Sequence, residues 1–145
     1  MRKEFVMRGK TASEGEEILN FGKYKEGYAY RLTEFQIYQY IGLGATTTEL
    51  CASVTAAKTA ADPENPNFNN DGLIAVASFY RFEASNQPQS IVNDTFLITQ
   101  NLILKVKDTH TSATAVNWQC KFESVKMTGP EEAATNFKQF SISDA

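Results

Sequence analysis

The chain has 145 residues and a formal net charge of −3, with 42 % hydrophobic, 12 % aromatic and 21 % charged side chains. That length suits a single domain over residues 1–145 with a buried core, and the composition excludes wholesale disorder or a collagen-like fibre. Stretches such as 72–79 and 91–98 are too short to span a bilayer as helices, and no Lys/Arg stripe exists to meet a run of phosphates, so neither a membrane nor nucleic acid is expected as partner.

Met1-Arg2-Lys3 is basic, but Glu4 and Arg8 interrupt the apolar patch that follows, so the opening does not read as a secretory leader. Charge is balanced at both ends of the chain. Between residues 41 and 100, only Lys58 and Arg81 stand against Glu49, Asp62, Glu64, Asp71, Glu83 and Asp94.

The hydrophobic period is two almost throughout, which predicts strands near 2–8, 16–21, 28–41, 49–58, 72–82, 90–99, 101–107, 115–127 and 137–143. The segment 28–41 begins in one phase (Tyr28, Tyr30, Leu32) and ends in the other (Phe35, Ile37, Ile41), so a β-bulge is expected near Thr33-Glu34. Leu50, Ala52, Val54 and Ala56 alternate with Cys51, Ser53 and Thr55, predicting one core face and one outer face. Val116, Trp118, Cys120 and Phe122 share a face and are expected to point inward. The separators are rich in turn formers: Glu26-Gly27, Gly42-Leu43-Gly44, the run from Asp62-Pro63 to Asp71-Gly72, Asn86-Gln87-Pro88, and 108–114. One short helix is predicted near 130–136, where Pro130 precedes Glu131 and Glu132 in a first turn. The expected fold is all-β: a β-sandwich of about eight strands, of jelly-roll or Greek-key type.

Residues that carry chemistry are sparse. His110 is the one histidine and falls in a turn-like segment, so no Ser–His or Cys–His pair is expected elsewhere. Cys51 and Cys120 lack zinc-knuckle spacing and are read as free thiols. Gly42-Leu43-Gly44 has neither the third glycine nor the Lys-Ser/Thr of a phosphate-cradling loop. Asn67-Phe68-Asn69-Asn70-Asp71-Gly72 opens like a calcium loop, but Ser78 stands where a bidentate glutamate closes the shell. Asn93-Asp94-Thr95 fits the glycosylation sequon. No catalytic residue, metal ligand or cofactor is assigned.

Five of the six tyrosines, Tyr24, Tyr28, Tyr30, Tyr38 and Tyr40, fall within residues 24–40. Tyr38 and Tyr40 fall in the phase opposite to Phe35 and Ile37. Tyrosine suits a surface buried on assembly, with apolar area and a polar tip. Tyr38 and Tyr40, with Tyr28 and Tyr30, are therefore the candidate assembly interface.

The opening 1–21, the loop Asn65-Pro66-Asn67-Phe68-Asn69-Asn70, the run Ile91-Val92-Asn93-Asp94-Thr95-Phe96-Leu97-Ile98-Thr99-Gln100 and the closing Phe137-Lys138-Gln139-Phe140 resemble small all-β structural proteins of marine bacteriophage virions. The likeness is one of texture and brings no site residues with it. It implies a non-enzymatic capsid building block or decoration (cement) protein, made in the host cytoplasm and located in the virion. Its implied partners are copies of itself, as a homo-oligomer, and other virion proteins. The alternative reading is a carbohydrate-binding β-sandwich module, with Trp118 and the tyrosines as stacking groups and the 67–71 loop as a cation or sugar site.

Overall fold

The computed structural model describes residues 3–21, 27–40, 47–82, 85–109, 115–130 and 134–135. Eight strands follow one another: β1 (Lys3–Ala12), β2 (Glu16–Leu19), β3 (Tyr28–Gln39), β4 (Thr47–Thr55), β5 (Leu73–Phe82), β6 (Ser85–Val92), β7 (Leu102–Asp108) and β8 (Ala115–Lys126). They form two antiparallel sheets packed face to face, one ordered β1-β8-β3 and the other β2-β7-β4-β5-β6. The fold is a β-sandwich. Strands β4, β5 and β6 run as consecutive hairpins and β7 returns beside β4, which is a Greek key.

The core follows from the period-two pattern. Val116, Cys120 and Phe122 are fully buried on the inner face of β8, with Trp118 close behind. Facing them from the larger sheet are Leu50, Ala52, Val54, Leu102, Leu104 and Val106. Burying one such aliphatic or aromatic side chain contributes about 1.5–3 kcal/mol. At one end of the core Phe5, Phe21, Tyr30 and Phe122 interlock, with Phe21 stacked on Tyr30 at 4.9 Å and edge-on to Phe122 at 5.0 Å. Trp118 needs room, and Gly9 supplies it. The two are register partners, and a Cβ on Gly9 would come within 2.9 Å of the indole.

The bulge expected near Thr33-Glu34 is present: the β3–β8 register shifts between Leu32 and Glu34. It keeps Phe35 and Ile37 on the core face already taken by Tyr30 and Leu32. The chain leaves one sheet for the other at the turn after β1, where Glu14 takes a left-handed φ of 67° and donates its amide to the Val106 carbonyl (2.9 Å).

Two expectations need adjustment. The strand predicted at 90–99 starts earlier: Asn86-Gln87-Pro88 is no separator but part of β6, the outermost strand beside β5. After Val92 the chain turns, and Ile98 pairs with Tyr30 in an isolated bridge. Pro88 is tolerated for a geometric reason. The Asn93 amide donates to the Ile74 carbonyl (2.8 Å), and the unbroken β5–β6 register places Pro88 in the alternate phase. Its nitrogen therefore points away from β5, on the side of β6 where no described strand pairs, so the β5–β6 ladder loses no hydrogen bond. The strand expected at 137–143 lies outside the described residues, as do 131–133 and 136 of the helix expected near 130–136. Helical backbone is seen at 129–130 and 134–135.

Candidate functional site

The outer face of the three-stranded sheet is assembled from alternate residues of β1, β8 and β3, and the register puts them in rows. Lys10, Asn117 and Tyr38 form one row, followed by Arg8, Gln119 and Gln36. Next come Val6, Lys121 and Glu34, and then Glu4, Glu123 and Arg31. Tyr38 and Tyr40 are 51 % and 48 % exposed, and Val6 is 48 % exposed. These three are among the eight large apolar side chains exposed among the described residues.

The polar groups of this face are organised. The Lys10 ammonium lies 4.1 Å from the centroid of the Tyr40 ring, reaching across β8 in a cation–π contact. Asn117 Nδ2 donates to the Gln39 carbonyl (3.2 Å), fixing its amide over the end of β3. At the opposite end Arg31 pairs with Glu123 (3.4 Å) and Lys121 with Glu4 (3.5 Å).

Of the four tyrosines expected to form an interface, the structure brings together two. Tyr38 and Tyr40 share the outer face. Tyr30 lies on the other side of the bulge and is half-buried against Phe5 and Phe21. Tyr28 is also half-buried, at the start of β3. Tyr38 is less detached from the core than alternation alone implies, because its ring touches Phe79 of β5 at 5.5 Å.

Two grooves flank the β5–β6 hairpin. One, of about 990 Å³, extends from the outer face, where Gln36, Tyr38 and Gln119 line it, to Asn86, Pro88 and Gln89 of β6. The other, of about 850 Å³, lies on the outer side of the larger sheet between Tyr80 and Ile91 and the prolines Pro63 and Pro66.

The remaining sequence candidates find structural partners. Trp118 is 8 % exposed and its Nε1–H donates to Thr11 Oγ1 (2.9 Å), so it belongs to the core and reaches the first groove only at its wall. In the 67–71 loop, Asn67 Oδ1 accepts from the Asn69 amide and Asn70 Oδ1 from the Gly72 amide, both at 3.0 Å. These oxygens cap turns, and no cluster of three or more His, Cys, Asp or Glu occurs among the described residues. Asn93 Oδ1 likewise accepts from the amide and hydroxyl of Thr95 (3.2 and 2.7 Å). Asp62 Oδ1 accepts from the Glu64 amide (2.9 Å), which with the Asn65 side chain lowers its carboxyl pKa. His110, Glu131 and Glu132 lie outside the described residues.

Both cysteines are free and buried. Burial pushes the Cys120 thiol up to about 12. Burial, reinforced by the charge of Glu64, pushes Cys51 to about 11. Thiols held protonated in this way are poor nucleophiles.

Sequence reasoning missed Lys10 and the Gln36–Gln119 amide pair. Alternation within β1 places Arg8 and Lys10 outward, but only the pairing of β1 and β3 on either side of β8 sets them beside the tyrosines. The chain matches no protein-family model and no curated protein.

Proposed function

We propose that this chain is a non-enzymatic structural protein of a virus particle, a capsid building block or a decoration protein. It associates with copies of itself and with other virion proteins, after synthesis in the host cytoplasm. The observation that supports this reading is the outer face of the three-stranded sheet. It carries two half-exposed tyrosines and Val6 among amides and paired charges, the mixture of aromatic area and polar groups found in protein contacts. A monomer gains nothing from displaying such a patch.

Tyr40→Glu tests it. Tyr40 touches Lys10 and lies outside the core cluster, so the variant keeps its far-UV circular dichroism. It loses self-association, or docking to the particle, in sedimentation, because a carboxylate must be desolvated in the contact. Unchanged sedimentation removes the interface.

A second reading, a carbohydrate-binding module, draws on the larger groove. Gln36, Gln119, Asn86 and Gln89 offer planar donor–acceptor amides beside Tyr38, which is the chemistry of sugar hydroxyl recognition. A glycan array separates the two: a monomer that retains a glycan through this groove favours the second.

A further inference from the structure

We propose that the outer face of the three-stranded sheet is self-complementary. It stacks on the same face of a second copy about a two-fold axis that lies in the contact plane and runs across the strands. This rests on the assembly reading above and specifies its partner and geometry.

The warrant is the order of the rows. Such an axis keeps each strand over its own counterpart and reverses the row order, so the first row of one copy meets the fourth row of the other. Lys10 then lies over Glu4 of the second copy. Tyr38 lies over its Arg31, Arg8 over its Val6, and Gln119 over its Lys121. Cation meets carboxylate, guanidinium meets aromatic ring, and an arginine stem covers an exposed valine. The two-fold repeats every pair, as an isologous contact requires. An axis along the strands performs worse, because β8 would stack on itself at equal height. Lys121 would then face Lys121, while Glu123 is buried beside Arg31 and takes no part. That like-charge pair at the centre of the contact disfavours the arrangement.

The existing contacts prepare the face for this partner. The Lys10 ammonium is held over the Tyr40 ring rather than ranging through solvent, so less side-chain freedom is lost on docking. Glu4 is held at Lys121 Nζ (3.5 Å) at the opposite end of the face. The tyrosines and Val6, half-exposed in one copy, are covered in the pair.

Charge reversal tests the pairing by analytical ultracentrifugation, with circular dichroism to confirm folding. Lys10→Glu and Glu4→Lys should each weaken wild-type self-association roughly tenfold or more, because each sets two like-charged pairs in contact. An equimolar mixture of the two variants should recover the dimer, since both contacts become Glu–Lys again. If the wild type associates and neither variant differs from it, the pairing is wrong while assembly stands. If Tyr40→Glu abolishes association but the charge variants do not, the face is right and the two-fold is overturned. A wild type that stays monomeric to its solubility limit overturns both this inference and self-assembly.

Discussion

The two sheets of the sandwich treat their outward faces differently. On the five-stranded sheet the chain supplies its own cover. Ser53 and Thr55, on the outward side of β4, are fully buried beneath the segment 56–72. Ser53 Oγ donates to the Ala61 carbonyl (2.8 Å), and the Ala61 amide donates to Thr55 Oγ1 (3.1 Å). Glu64 closes the cover by pairing with Lys107. On the three-stranded sheet Gln36, Tyr38 and Tyr40 stay exposed, and no described loop lies over them. The roof is confined to β4 and β7: toward the margin of the five-stranded sheet Tyr80, Phe82 and Ile91 stay exposed, whereas on the three-stranded sheet the exposed apolar area lies at Tyr38, Tyr40 and Val6. The contrast is between outward polar groups held by a loop, at Ser53 and Thr55, and outward groups held only by their strand neighbours, at Gln36 and Tyr38.

The largest expected effect lies just beneath the bare face. Trp118→Ala removes an indole that fills the space above Gly9 and donates to Thr11, and should cost about 3–5 kcal/mol in denaturant unfolding. A loss under about 1 kcal/mol would mean the bare face has no firm foundation. Next comes the roof. Ser53→Ala with Thr55→Val strips both hydrogen bonds from the Ala61 backbone and should cost about 1–3 kcal/mol. Limited proteolysis within 56–72 should quicken in the same variant. By comparison, Gln36→Ala on the bare face should stay within about 0.5 kcal/mol of wild type. Equal losses on the two faces would erase the distinction between them.

The smallest effect is a pH dependence. Cys51 and Cys120 keep their protons when folded up to about pH 11 and 12, whereas an ordinary thiol ionises near 9.0. Between those values the unfolded chain binds fewer protons, so stability falls as pH rises. The contribution is full below about pH 9 and fades as pH approaches the folded values. Melting temperatures of Cys120→Ala against wild type should show a shallower decline above pH 9 in the variant.

How much of this was legible in the residues differs by element. The alternation of β8 placed Val116, Trp118, Cys120 and Phe122 inward without any need for their partners, because one apolar face against one polar face has a single stable orientation. The phase change in β3 likewise announced its bulge. The same reasoning undersold β4, whose Ser53 and Thr55 are buried on the second side by hydrogen bonds to a distant loop, something composition does not register. It also misplaced the start of β6, since Asn, Gln and Pro are turn formers by local propensity yet fit an outermost strand with one unpaired side. The candidate site was half visible. Tyr38 and Tyr40 followed from period two, whereas Lys10, Gln119 and Glu4 joined them only through pairing across β8, a long-range property.

Pro88 bears on how large any assembly grows. The open side of β6 presents carbonyls and amides in a row, with one amide missing at its centre. A strand added there would leave a carbonyl of its own without a donor, so the sheet is a poor template for its own lengthening. Polymerisation by end-to-end sheet extension, the route to fibrils, is thereby checked at this margin. The two-fold stack proposed above has the same property by another route, since an isologous contact is complete once two copies have met.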